Sequence, residues 1–172
     1  MKGVLVVAMA SALVAGCGAM GLGGGASATA GLEPTKGNTT RGTVKFTQAG
    51  DRVRVSGQIS GLKPGAEHGF HVHEKGDCSS GDGMSAGGHF NPAGKAHGMQ
   101  SGERHAGDLP NLKADASGNV KADFEIGGIS VGSGSADIVG KGLIVHRDPD
   151  DYKSQPAGNA GPRLACAVIK AS

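Results

Sequence analysis

Beyond the first few dozen residues, apolar positions recur every second residue. Val53, Val55, Gly57 and Ile59 alternate with Arg52, Arg54, Ser56 and Gln58, and Val120, Ala122, Phe124 and Ile126 alternate with Lys121, Asp123 and Glu125. Period two sends successive side chains to opposite faces of a pleated strand, so both segments are predicted to be half-buried strands. Val44 and Phe46 give Thr43 to Thr47 the same form, and Ala49-Gly50-Asp51 supplies a turn before the next strand. Leu143-Ile144-Val145 and Leu164 to Ile169 are short apolar runs suited to buried strands. After the N-terminal segment no stretch of twelve residues carries a 3.6-residue apolar repeat. Many short strands with Gly-rich turns define an all-β antiparallel sandwich or barrel.

Two segments break the pattern. Gly76 to Asn111 is long, rich in Gly and His, and poor in β-formers, while Arg147 to Pro162 is polar and punctuated by Pro and Gly. Loops of more than about fifteen residues are uncommon unless they bind something or are stapled.

The N-terminus has a different character. Met1-Lys2 carries one positive side chain, and Val4 to Ala15 is apolar but shorter than the ~20 residues needed to span a bilayer. The run ends in Leu13-Val14-Ala15-Gly16-Cys17, which resembles the lipobox of bacterial lipoproteins, with cleavage before Cys17 and lipid on that residue. Gly18 to Ala26 consists mostly of small residues and reads as a flexible tether. The expected organisation is a signal peptide over 1–16, a lipidated Cys and tether over 17–26, and one domain over 27–172. The protein is then exported and held at the periplasmic face of the bacterial envelope by a lipid anchor alone. With Cys17 lipidated, Cys78 and Cys166 remain, an even pair in an oxidising compartment. Their bridge would close a long loop, contributing about 4 kcal/mol in the chain-entropy account.

The 172 residues fit one domain with a leader. With no Trp, one Tyr and four Phe, the core must be built from Val, Ile, Leu and Ala. The 33 Gly follow no G-x-y period, which excludes collagen. A net charge of +2 argues against a nucleic-acid binder driven by bulk charge.

Seven His in so small a chain are the anomaly. His71 and His73 flank Val72 on a predicted strand, so both imidazoles face one side while Val72 faces the core. His89, His97 and His105 follow at eight-residue intervals in the long loop, Asp108 lies three beyond, and His146 ends an apolar run. Six His and one Asp make seven ligands, and two four-coordinate ions need eight positions. One imidazole bound through both nitrogens supplies the eighth. Imidazole suits copper and zinc, and the lack of Cys argues against a structural Cys-rich zinc site.

Four segments in order, Gly69-Phe70-His71-Val72-His73-Glu74, Gly88-His89-Phe90-Asn91-Pro92, Arg104-His105-Ala106-Gly107-Asp108-Leu109 and Gly158-Asn159-Ala160-Gly161-Pro162-Arg163-Leu164-Ala165-Cys166, resemble Cu/Zn superoxide dismutase. The resemblance runs from about Ala26 onward. It implies an eight-stranded Greek-key β-barrel or sandwich with two long functional loops, and a first strand at Ala26 to Pro34 that propensity alone leaves weak. It implies one copper per chain on His71, His73, His89 and His146, and one zinc on His89, His97, His105 and Asp108, with His89 as the bridge. Asp150 is implied as the carboxylate joining a copper His to a zinc His, and Cys78–Cys166 as the disulfide tying the long loop to the last strand. Arg163 is implied as the anion guide, His89 as a proton carrier, and His68 as a non-ligand that hydrogen-bonds nearby. Cys78 comes five residues after His73, as in bacterial members, and the loop after His146 is shorter than in eukaryotic ones. Assembly is left between monomer and homodimer.

The implied reaction is dismutation of superoxide anion to oxygen and peroxide. The alternative is a lipid-anchored copper/zinc buffer or copper carrier on the same scaffold, although neither a ligand nor the arginine is missing. The H-x-H motif also occurs in zinc hydrolases, but those continue with an acid and a third His, which Glu74-Lys75-Gly76 does not provide.

Overall fold

The computed structural model describes Gly3 and residues 25–172; the leader, Cys17 and most of the tether lie outside the described residues. The described strands are β1 (Ser27–Pro34), β2 (Arg41–Ala49), β3 (Arg52–Ser60), β4 (Glu67–His68), β5 (Phe70–His73), β6 (Leu112–Lys113), β7 (Val120–Gly127), β8 (Gly142–His146), β9 (Arg163–Val168) and β10 (Lys170–Ala171). Gly69 interrupts β4–β5 and Ile169 interrupts β9–β10, so the described residues make the eight strands expected. A 3-10 turn, Met84–Ala86, lies in the first long loop.

Every strand pairing is antiparallel, in the order β5-β8-β9-β1-β2-β3-β7, with β10 beside β1 and β4 beside β6. Strands β3 and β4, and β7 and β8, follow each other in the chain without being neighbours, the crossings of a Greek key. The alternation read from the sequence holds in β2, β3 and β7. Val44, Phe46, Val53, Val55, Ile59, Val120, Ala122 and Ile126 are buried, with Phe46 opposite Val55. Strand β1 joins through Ala28, Ala30 and Leu32, small inward residues whose weak β-propensity is outweighed by pairing on both edges.

Strands β5 and β8 depart from alternation because every residue in them is buried. Phe70, Val72, Leu143 and Val145 enter the core, while His71, His73 and His146 are buried as well. The first long loop also takes up the edge of β5. Val72 N–H donates to Gly107 O at 2.9 Å, Phe90 N–H to Val72 O at 2.8 Å, and Glu74 N–H to Gly88 O at 2.9 Å. Cys78 and Cys166 form a disulfide with Cα atoms 5.9 Å apart, fastening that loop to β9. Cys166 clusters with Ile144 and Ala86 outside the main core, and Cys78 packs against them.

Candidate metal centre

Two clusters of possible ligand atoms lie side by side, His71, His73, His89 and His146 in one and His89, His97, His105 and Asp108 in the other, each with its atoms within 4.8 Å of one another. All eight positions are buried and His89 belongs to both. The strand pattern accounts for the first cluster. His71 and His73 stand on one face of β5, and β8, paired with it, presents His146 at its end. The loop brings the remaining ligands by pairing its backbone to β5, with His89 opposite His73 and Asp108 opposite His71.

The second cluster converges on one carboxylate oxygen. Asp108 Oδ1 lies 2.7 Å from His89 Nδ1, 3.0 Å from His97 Nδ1 and 3.3 Å from His105 Nδ1. The other carboxylate oxygen accepts the backbone N–H of His105 at 2.9 Å and of Gly98 at 3.2 Å, which orients the group. In the first cluster His73 Nε2 and His146 Nε2 approach to 3.5 Å. Their outer nitrogens donate to backbone carbonyls, His73 Nδ1 to Gly87 O at 2.9 Å and His146 Nδ1 to Gly161 O at 3.0 Å. Such partners fix the tautomer and leave the inner nitrogen as a lone-pair donor.

Asp150 spans the clusters. Its two oxygens lie 2.9 Å from His71 Nε2 and 2.9 Å from His97 Nε2. Gly158, at φ 63°, lines this bridge, and a Cβ there would overlap the Asp150 carboxylate and come within 2.7 Å of His97 Nε2. A residue without a Cβ is therefore required on both conformational and steric grounds.

The ring nitrogens left without partners test whether metals fit. Buried ring nitrogens without a hydrogen bond include His68 Nε2, outside both clusters, and His97 Nδ1, which faces Asp108 Oδ1 at 3.0 Å. His71 Nδ1 and His89 Nε2 have no protein partner, and both belong to residues of the all-histidine cluster. Buried polar nitrogens are rarely left unpaired, so the vacant lone pairs point to ions as their partners. An all-imidazole set beside a three-imidazole, one-carboxylate set suits copper and zinc, and the residues present fit both.

The electrostatics of the metal-free residues differ on the two sides. Burial lowers His71 to about 4 against the pull of Asp150, and burial with the His71 ring beside it lowers His146 to about 3. Burial, then the Arg163 charge, holds His73 well below the usual imidazole value. His105 is lowered by burial too. For His97 burial works against protonation, but Asp108 and Asp150 outweigh it and raise the ring to about 9. Both carboxyls are held far below the usual range by their His partners despite burial.

Arg163 opens β9 opposite His146. Its guanidinium donates to Gly83 O at 2.6 Å and Gly87 O at 2.6 Å, both in the loop that Cys78 fastens. It is half-buried, and burial lowers its pKa, although a guanidinium stays charged. His68 lies outside both clusters; its Nδ1 meets His146 O at 2.9 Å, which supports the strand end that carries His146. The sequence reading missed the loop amides Asn111 and Gln155. Each makes two hydrogen bonds to the main chain of a site residue, Asn111 to Asp150 and Gln155 to His97. Neutral amides in a loop carry neither periodicity nor ligand chemistry, so only position reveals them.

Fold and site together define an all-β metalloprotein with two buried sites joined through one imidazole. The family model described as copper/zinc superoxide dismutase (SODC) matches residues 40–169. A superoxide dismutase [Cu-Zn] of Paramecium bursaria Chlorella virus 1 is 46% identical over 136 residues, covering 75% of this chain and 72% of the relative. Superoxide dismutase [Cu-Zn] 2 of Aquifex aeolicus (strain VF5) is 42% identical over 134 residues, covering 75% and 78%. A solved structure described as the clock protein EA4 superposes with a TM-score of 0.77 at 44% identity, covering 84% of this chain and 93% of that one. The chain belongs to the copper/zinc superoxide dismutase family.

Proposed function

We propose that this chain converts superoxide to oxygen and hydrogen peroxide, with copper that His71, His73, His89 and His146 would hold. Zinc would be held by His89, His97, His105 and Asp108. The observation that carries this reading is the pair of buried clusters sharing His89. Copper supplies the one-electron oxidation and reduction of the two half-reactions, and zinc, without accessible redox chemistry, supplies charge and holds the shared ring.

Arg163 binds and orients the anion. Its two backbone acceptors leave the guanidinium fixed and positive, so superoxide meets a preorganised partner beside His73 and His146. His89 holds a proton on Nε2 in one half of the cycle and gives it to the reduced substrate in the other, while Asp108 beside Nδ1 keeps the ring in place. Asp150 holds the His71 and His97 rings at fixed angles.

The lipobox-like run ending in Cys17, the following tether and the disulfide support export and attachment to the periplasmic face through a lipid on Cys17. The domain division at 1–16, 17–26 and 27–172 is part of the same proposal, with assembly as monomer or homodimer.

The test is metal content beside the superoxide-consumption rate. About one copper and one zinc per chain, with activity lost on copper removal and restored by copper, is the expected result. Metal bound without turnover would replace the enzyme with the binding-protein reading.

A further inference from the structure

The two long loops grip each other through side-chain amides, and one of these grips is unexplained by ligand duty. Gln155, in the second loop, accepts the backbone N–H of His97 on Oε1 at 2.9 Å and donates from Nε2 to the backbone carbonyl of His97 at 3.0 Å. A weaker contact runs from the same Nε2 to Lys153 O at 3.4 Å. His97 lies in a stretch of the first loop without strand or helix, and its N–H and carbonyl make no backbone–backbone hydrogen bond. One amide therefore satisfies both main-chain groups of a residue whose side chain is wholly buried.

The residue that makes this grip is itself braced. Asp151 Oδ1 accepts the backbone N–H groups of Lys153 at 2.9 Å and Ser154 at 2.8 Å, and Asp151 Oδ2 accepts the Ser154 hydroxyl at 2.6 Å. Gly158 N–H donates to Ser154 O at 2.7 Å and Asp151 N–H to Gly158 O at 2.9 Å, closing the turn that presents Gln155. Asp150, preceding this turn, meets the same His97 at ring atom Nε2. The second loop thus holds His97 at its backbone and at the outer edge of its ring, leaving Nδ1 to face Asp108.

We propose that Gln155 is a positioning residue for His97, its amide fixing the two peptide planes flanking His97 and so the direction of Nδ1. The inference rests on the assignment of His97 to zinc made above. Two hydrogen bonds to one residue constrain φ and ψ together, which a single bond does not. A neutral amide does this without adding charge beside the carboxylates. Its counterpart is Asn111 of the first loop, which makes the same double contact to Asp150, Nδ2 donating to Asp150 O at 2.9 Å and Oδ1 accepting Asp150 N–H at 2.9 Å. Each loop thereby fixes a site residue belonging to the other.

The experiment compares the full chain, loaded with copper and zinc, with its Gln155→Ala and Gln155→Asn variants. Gln155 is exposed, so both changes leave the core untouched; Asn keeps the amide on a stem too short to reach. Zinc and copper release to a chelator are followed separately, along with the visible spectrum of cobalt(II) substituted for zinc and the melting of the metal-free chain. Expected for both variants is zinc release about tenfold faster, at the lower end for loss of an outer partner of a ligand. The cobalt spectrum changes, while copper release and metal-free melting stay at wild-type values. Zinc release and a cobalt spectrum identical to wild type would overturn the role of Gln155. Equal acceleration of both metals with lower melting would also overturn it, showing general loosening of the loop. If His97→Ala keeps zinc as tightly as wild type, the assignment of His97 falls, and this inference falls with it.

Discussion

His73 and Arg163 share one acceptor: the Gly87 carbonyl receives His73 Nδ1–H at 2.9 Å and an Arg163 guanidinium N–H at 2.6 Å. The carbonyl that fixes the tautomer of one ligand thus also fixes the cation proposed to receive substrate. Arg163→Ala should retain both metals while losing roughly tenfold or more of the rate, with a weaker dependence on ionic strength. Stopped-flow superoxide decay across a salt series measures this, and kinetics unchanged from wild type would remove the guiding role.

Asp150→Ala removes a carboxylate that meets rings in both clusters. Copper and zinc affinity should each fall by about 10- to 100-fold. Gly158→Ala should act in the same direction, because its Cβ would displace that carboxylate. Metal retained after dialysis against a graded chelator series tests both, and full retention by both variants would contradict the bridge.

Protons should leave one side of the centre and not the other. In the metal-free chain His97 is raised to about 9, whereas His71 and His146 are lowered to about 4 and about 3. Zinc uptake near pH 7.5 should release about one proton from His97, and uptake near pH 10 none, while filling the first cluster releases none from His71 or His146. The stability of the metal-free chain follows the same signs. The His97 contribution is complete below the unfolded value near 6.5 and disappears as pH rises through about 9. His71 and His146, kept neutral by burial, cost the fold stability as pH falls from about 6.5 through about 4 and about 3 respectively. Calorimetry of metal uptake in buffers of different ionisation enthalpy counts the protons.

Reducing the Cys78–Cys166 bond should lower stability by about 4 kcal/mol in the chain-entropy account for a bridge of separation 88. Activity should fall as well, because Cys78 lies in the loop whose Gly83 and Gly87 carbonyls hold Arg163. Melting and turnover of the double Cys→Ala variant, measured with both metals bound, check the two effects.

Cys17→Ala should move the protein from the membrane fraction to the soluble periplasmic fraction without changing its turnover. Fractionation of a bacterial host with metabolic lipid labelling reads this out, and label retained by the variant would exclude attachment at Cys17.

How much was legible beforehand depends on what each segment buries. Strands β2, β3 and β7 alternate because one face of each meets the core, and the sequence shows this plainly. Strands β5 and β8 do not alternate in burial, because the histidine-bearing side lies under loops whose position no local pattern encodes. Six ligand His and Asp108 stood out by type and spacing, and the count demanded a shared ring. Which ring is shared came from family resemblance and, independently, from the two clusters that meet at His89. The Asn111 and Gln155 contacts stayed hidden, since each joins segments far apart in the chain, His97 and Gln155 being 58 residues apart.

Strand β5 ends the hydrogen-bonded row of the main sheet, and its outer groups are taken by residues 90, 107 and 109 of the loop that also carries His89, His97, His105 and Asp108. An uncovered end strand is a template on which another molecule's strand can add. Ions gripping that loop therefore also act as guards against self-association. A chain stripped of metal is one whose cover is free to lift, and its colloidal stability becomes a matter of metal supply.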